Sequence, residues 1–258
     1  MSVASSNKNE GKESGKVIAV TGASRGIGAA IAVELRRRGH TVGCLTRSGS
    51  GPAAGDEGGA PAARFINLQC DVTHEASVKD ALSRLADAAG GLHGLVNNAG
   101  MHRDGPSHEL PTSAYEEIMA TNATSVFVCA REAYPHLNRA GGGIVVNIGS
   151  FFDKIGVKRN LAYCASKAAV GAITRCLAVE WASKGIRVID IAPGYIETDL
   201  NREAFAGPLR DYLAKRIPGG RHGTSADVAR LVAAIFGEDI AFLTGETIYL
   251  DGGQGIAH

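Results

Sequence analysis

The stretch Val17-Ile18-Ala19-Val20-Thr21-Gly22-Ala23-Ser24-Arg25-Gly26-Ile27-Gly28 decides how the rest of the chain is read. Residues 17–20 are an apolar, mostly β-branched run, short enough for a strand covered on both faces. Glycines follow at once, and residues 26–38 have the pattern of a helix. Glycines between a strand and a helix allow a tight turn and let backbone N–H groups approach a pyrophosphate. The helix N-terminus adds partial positive charge. Glycines also mark ordinary strand-to-helix junctions. This turn gains weight by standing after the first strand of an alternating series.

The series continues to the end of the chain. Residues 41–46, 64–69, 92–96, 143–148, 186–191 and 247–250 read as strands. Residues 78–89, 114–137 (one long helix), 163–183 and 226–236 read as helices. The alternation predicts an α/β fold: a Rossmann-type doubly wound parallel sheet in a three-layer sandwich, one domain over residues 16–258. No internal repeat or shift in composition divides it. The Gly/Ala/Pro-rich stretch 49–63 reads as a surface loop, and residues 1–15, rich in Ser, Asn, Lys and Glu, as a disordered tail with no secretory signal.

Of 258 residues 45% are hydrophobic, and 27 basic against 26 acidic residues leave a net charge of +1. That balance gives no field suited to nucleic acid or a membrane surface. No stretch approaches the roughly 20 apolar residues of a membrane span. Five scattered cysteines without a CxxC pair read as reduced thiols of a cytoplasmic protein, and no metal is expected.

The spacing Thr21-Gly22-x-x-x-Gly26-Ile27-Gly28 differs from GxGxxG and resembles the short-chain dehydrogenase/reductase family. Asn97-Asn98-Ala99-Gly100, after the fourth strand, resembles that family's NNAG. Asp71-Val72 after the third strand, and Pro193-Gly194 with Thr198 after the sixth, match two further motifs. Tyr163 and Lys167 form a YxxxK pair, Ser150 precedes Tyr163 by thirteen residues, and Asn122 matches a fourth catalytic position. The resemblance extends over residues 16–253. It implies a nicotinamide cofactor held by Gly22, Ser24, Arg25, Gly26, Ile27, Gly28, Arg47, Ser48, Asp71, Val72, Asn98, Ala99, Gly100, Tyr163, Lys167, Pro193, Gly194, Ile196 and Thr198. It also implies a homotetramer assembled through the helices at 114–137 and 163–183.

The chemistry follows from the residue types. Tyr163 and Lys167, at i and i+4, share one helix face. A phenol titrates near pH 10, and a neighbouring ammonium pulls that value down towards neutrality. Tyr163 is thus expected to act as general acid in reduction and general base in oxidation, with Lys167 tuning it. Ser150 would hydrogen-bond the carbonyl oxygen, and Asn122 would hold a water that links Lys167 to solvent. The second strand ends Leu45-Thr46-Arg47-Ser48, with no carboxylate to bind a ribose 2′-hydroxyl. Arg25 and Arg47 could instead clamp a 2′-phosphate, so NADP(H) is expected, with NAD(H) second.

Substrate signals are mixed. Residues 98–104, 217–223 and 245–253 resemble 3-oxoacyl-acyl-carrier-protein reductases. Phe151-Phe152-Asp153-Lys154 departs from that subgroup: the phenylalanines could line a substrate pocket or pack, and Asp153 could bind a hydroxyl. Glu180-Trp181-Ala182 is a pattern also found in sugar-acid and polyol dehydrogenases. Arg131, Arg139, Lys158, Arg159 and Lys184 are candidates for an acyl-carrier patch. Residues 195–217 read as a lid carrying Leu200, Phe205 and Leu209. Three readings compete: an NADPH-dependent ketone reductase, acting for example on a 3-oxoacyl thioester; a sugar, polyol or hydroxy-acid dehydrogenase; and a non-catalytic dinucleotide sensor.

Overall fold

Apolar runs four to eight residues long become the strands of one sheet because both of its faces are covered. In the computed structural model, which describes residues 15–53, 63–199, 201–205, 207–238 and 240–257, these are β1 (Val17–Thr21), β2 (Thr41–Thr46), β3 (Phe65–Gln69) and β4 (Gly94–Asn97). They continue as β5 (Gly143–Ile148), β6 (Ile186–Pro193) and, after two short lid strands, β7 (Ile196–Glu197) and β8 (Gly223–Thr224), as β9 (Thr247–Leu250). Seven of them pair in parallel in the order β3-β2-β1-β4-β5-β6-β9. All five residues of β1 and all four of β4, the central strands, are buried.

Two helical layers cover the sheet. On one face lie α1 (Gly26–Arg37) and α8 (Ser225–Gly237), which bury Ile31, Leu35, Val228, Val232 and Phe236 against Val20, Val146 and Ile189. The other face carries α2 (Glu75–Ala89), α4 (Ser125–Arg139) and α5 (Leu161–Trp181). Val78, Ala81, Leu82 and Leu85 of α2 recur at helical spacing and pack in this layer with Cys129 and Ala133 of α4. The doubly wound three-layer expectation is therefore met. Among the described residues no helix is long and apolar enough to cross a membrane. Cys44, Cys70 and Cys129 are buried, Cys164 partly so and Cys176 exposed, and all are free thiols.

Several boundaries differ from the sequence reading. The long helix at 114–137 is α3 (Thr112–Met119), a π-helical turn (Ala120–Thr124) and α4 in succession. A π turn inserts a residue and opens part of the backbone ladder. The inserted residues include Asn122, which is 1% exposed. The helix at 163–183 gives way two residues early to a 3₁₀ turn (Ala182–Lys184), closed by Gly185 at φ 68°. The lid carries α6 (Arg202–Phe205) and α7 (Pro208–Arg216), joined by β7 and β8 to the body. All of the expected tail except Gly15, residues 54–62 of the expected loop and Leu200 of the lid lie outside the described residues.

Helix α8 begins in a capping box: the Asp227 N–H donates to Thr224 Oγ1 at 3.2 Å, and the Thr224 N–H donates to Asp227 Oδ2 at 2.9 Å. Arg221 at 2.9 Å helps hold the Asp227 carboxyl at about 2, below its ordinary 3.8. A depressed carboxyl stabilises the fold above its unfolded value and loses that contribution as acid protonates it. We expect Thr224→Ala to cost about 1 kcal/mol in urea unfolding at neutral pH. The wild-type midpoint should fall as pH drops from about 4 towards 2, and Asp227→Asn should flatten that fall.

Candidate active site

Strand order reverses between β1 and β4, and a crevice opens beyond their carboxyl ends, where doubly wound sheets bind ligands. The turn after β1 forms the floor. Gly22 has φ 68° and Gly26 φ 57°, values that side chains disfavour. A Cβ on Gly28 would stand 2.3 Å from the Gly22 carbonyl oxygen, so no larger residue fits there. Thr21 Oγ1 accepts from the N–H groups of Asn98 and Ala99, both at 3.0 Å, and Asn98 Nδ2 donates to Thr21 O at 3.0 Å. These bonds tie the two central strand ends together. Helix α1 starts without a side-chain cap or an acid in its first turn, so its N-terminal N–H groups are left for an anion.

The crevice has a volume of about 810 Å³. Gly22, Ser24, Arg25, Gly26, Ile27, Gly28, Arg47, Ser48, Asp71, Val72, Asn98, Ala99, Gly100 and Thr198, all expected from sequence, line it. Leu45, Thr46, Cys70, Thr73, Met101, Glu117 and Thr121 also line it and were not expected. Tyr163, Lys167, Pro193, Gly194 and Ile196 do not line it. Ile196 is instead buried in the layer beneath α8, because β7 pairs with β8 and turns it inward. Arg25 and Arg47 are exposed, and neither makes an ion pair among the described residues. The fit to a dinucleotide is good: a turn with no space for side chains, an open helix end and two unpaired guanidiniums.

Beyond Gly100 lies the proton-transfer group proposed from sequence. Lys167 is 6% exposed, and its Nζ donates to the Ile148 carbonyl at 2.7 Å and stands 5.7 Å from the Tyr163 ring centre. Ser150 follows β5 and is also buried. Burial raises the Tyr163 phenol above its usual value, and hydrogen bonding from Ser150 works the other way. The sequence reading expected the opposite sign, a phenol drawn down by Lys167. Burial acts on the lysine too, lowering it to about 8, so the ammonium is itself only partly retained in mildly alkaline solution.

Asn122 also carries structural bonds. Its Oδ1 accepts from the Met101 N–H and its Nδ2 donates to Met101 O, both at 2.8 Å. Nδ2 also donates to Ser166 Oγ at 3.1 Å. The side chain thus clamps the segment after Gly100 to α5, with both amide hydrogens donated and one lone pair of Oδ1 left over.

Aromatic rings frame the mouth. Phe152 meets Tyr163 edge-on at 5.9 Å and Tyr195 at 6.1 Å. Phe151, only 2% exposed, packs against both Phe152 and Tyr195, so it is a packing residue, and Phe152 is the one of the pair that meets Tyr163. Asp153 does bind a hydroxyl, but the protein's own: Tyr249 donates to its Oδ2 at 2.9 Å. His102 was missed. Its ring stands edge-on to Tyr163 at 5.0 Å and its Nε2 bonds Asn160 Oδ1. Of the lid residues, Phe205 is buried with Leu213 and Ile217, and Leu209 packs beside them. Among the five cations suggested for an acyl carrier, Arg131 pairs with Glu75 at 2.6 Å and Arg159 with Asp104 at 3.1 Å.

A dinucleotide-sized crevice at the switch point, with a phenol, a hydroxyl and a lysine beyond its end, is the layout of a dehydrogenase or reductase. A family model described as enoyl-(acyl carrier protein) reductase matches residues 22–254. Over 245 residues the chain is 36% identical to the 3-oxoacyl-acyl-carrier-protein reductase FabG of Vibrio cholerae, covering 93% of this chain and 97% of that protein. It is 34% identical to D-threitol dehydrogenase of Mycolicibacterium smegmatis, covering 94% of each. The solved aldohexose dehydrogenase of Thermoplasma acidophilum superimposes with a TM-score of 0.82 at 30% identity, over 95% of both chains. The chain belongs to the short-chain dehydrogenase/reductase family. It is an oxidoreductase acting on alcohol or ketone substrates, in a family that binds nicotinamide dinucleotides.

Proposed function

We propose that this chain reduces a ketone to a secondary alcohol with NADPH, and that Ser150, Tyr163 and Lys167 carry the proton chemistry. One observation supports this above the others: a serine hydroxyl and a buried lysine flank a single phenol where the dinucleotide crevice ends. Arg25, Arg47 and the missing acid at the end of β2 support NADP(H) over NAD(H). Lys167 and Tyr163 would meet the ribose at the inner end of the crevice, and Pro193, Gly194 and Thr198 would border the nicotinamide. We take residues 16–258 as one catalytic domain.

Bound there, the cofactor supplies the hydride. Tyr163 gives a proton to the carbonyl oxygen in reduction and removes one in oxidation. Burial keeps the phenol protonated at neutral pH, the form that reduction requires. Ser150 donates to the same oxygen and stabilises the developing alkoxide. Lys167 as an ammonium supports the phenolate left behind. Asn122 holds the Met101 segment in place, and its remaining Oδ1 lone pair would hold a water that returns protons to Lys167.

The likeness to FabG supports a 3-oxoacyl thioester as substrate, delivered on an acyl carrier protein, and the likeness to D-threitol dehydrogenase supports a polyol instead. Initial rates with NADPH and NADH against an acetoacetyl thioester, diketones and keto sugars separate them. Tight dinucleotide binding with no turnover on any of these would point to a sensor. Replacing Arg25 and Arg47 together by Ala should raise KM for NADPH by about tenfold or more, given charge-assisted hydrogen bonds to the phosphate, and leave KM for NADH nearly unchanged. An equal effect on both cofactors would remove the NADP(H) assignment. Phe127 on α4 and Leu161 and Val179 on α5 are exposed, which supports assembly as a homotetramer through these helices, and five free thiols suit a cytoplasmic setting.

A further inference from the structure

Beneath the Ser150–Tyr163–Lys167 group runs a row of polar side chains that the proposed chemistry does not use. Asn97, Asn147, Asp190 and Thr247 stand opposite one another in register across β4, β5, β6 and β9. In-register neighbours on parallel strands point to the same face. Asn147 Nδ2 donates to Thr174 Oγ1 of α5 at 2.9 Å, so this is the face that α5 covers. Asn97 Nδ2 donates to Asn147 Oδ1 at 2.9 Å, and Thr247 Oγ1 donates to Asp190 Oδ2 at 3.1 Å. Asp190 is wholly buried, and among the described residues its Oδ1 has no well-formed hydrogen-bond partner, although the Gly149 backbone N–H also favours its charged form.

A carboxyl placed in this way needs a charge to answer it. A Cβ on Gly149 would lie 2.5 Å from Asp190 Oδ1, so the carboxyl presses against the backbone between Ile148 and Ser150. The Ile148 carbonyl is the atom that receives Lys167 Nζ. Charged and titratable groups reach Asp190 from each neighbouring element. Lys167 acts from α5 with opposite sign, and Asp153 acts from the 3₁₀ turn after Ser150 with like sign. On β9, Tyr249 feels Asp190, Asp153 and Arg175 together. Among the described residues Asp190 is also the one charged side chain that acts on Lys167.

We propose that Asp190 is a positioning residue whose buried carboxylate is the counter-charge that keeps Lys167 an ammonium. Through Lys167 it sets the pH range in which Tyr163 exchanges protons. The inference rests on the reading of Tyr163 and Lys167 given above. It agrees with the opposed displacements of the pair: burial lifts Asp190 to about 6 and lowers Lys167 to about 8, leaving both charged between those values. Above that window Lys167 loses its proton and the phenol faces a neutral amine; below it Asp190 is neutral.

The test is the pH profile of kcat/KM for ketone reduction in Asp190→Asn, which keeps the shape and an oxygen for Thr247. Without the carboxylate the ammonium is less favoured, so the alkaline limb should move down by about one pH unit or more. Turnover at pH 8 should fall about fivefold or more while turnover near pH 6 changes little. Thr247→Val removes a donor to Asp190 and leaves every charge in place, so its alkaline limb should stay close to wild type; an equal displacement in both variants would mark loosened packing as the cause and overturn the role of the charge. A lysine ¹³Cε titration of folded Asp190→Asn reads the Lys167 value directly, independent of turnover. Profiles and titrations that superimpose on wild type would overturn the role of Asp190. If Tyr163→Phe and Lys167→Met both retain wild-type turnover, the underlying reading fails instead, and the two failures are thereby told apart.

Discussion

Replacing Tyr163 by Phe is expected to lower turnover by about 10²–10⁴-fold, the usual contribution of a positioned general acid, with dinucleotide affinity largely intact. The substitution removes one hydroxyl. The ring keeps its edge contacts with His102 at 5.0 Å and Phe152 at 5.9 Å, and neither Lys167 nor the crevice floor depends on the lost oxygen. Because burial raises the phenol, Tyr163 is protonated at neutral pH and reduction should show the full loss there. Fluorescence titration with NADPH beside initial rates separates binding from chemistry. Wild-type turnover in this variant would end the assignment of Tyr163.

Ser150→Ala should cost about 10²–10³-fold in kcat, the range found when one donor to a developing oxyanion is removed. Its structural cost should be small. Apart from Tyr163, the hydroxyl meets, among the described residues, only the Phe152 N–H, at a long 3.3 Å. Thermal unfolding of the variant should therefore match wild type while kcat falls, and a loss of both together would mark Ser150 as a cap for the 3₁₀ turn and no more. Serine and tyrosine act on one oxygen, so the double variant should lose less than the product of the single losses.

How far the sequence could be read differs from residue to residue. Gly22, Gly26 and Gly28 were legible because a turn with positive φ and no room for Cβ leaves a local trace in residue type. Tyr163 and Lys167 were legible because four residues on a helix is one turn. Asn122 was found as a position but not as a clamp, since neither its π turn nor its partner Met101 is encoded by spacing. His102 lay within a recognised segment yet gave no sign of facing Tyr163, sixty-one residues later. The two adjacent phenylalanines read identically; Tyr195 meets both, and only burial of Phe151 and the contact of Phe152 with Tyr163 tell them apart.

By itself the sequence determined the alternating doubly wound sheet, the phosphate turn and the placing of Tyr163 and Lys167 on one helix face, while Ser150 joined that pair through the resemblance to the family. The first three follow from periodicity, glycine stereochemistry or short-range spacing, which act along the chain. Tertiary structure decided the charge states. Whether a phenol rises or falls, and whether a lysine keeps its proton, depends on water excluded from every side and on charges borne by distant strands. Burial raised Tyr163 where spacing alone suggested the reverse, and it set Asp190 of β6 beneath Lys167 of α5.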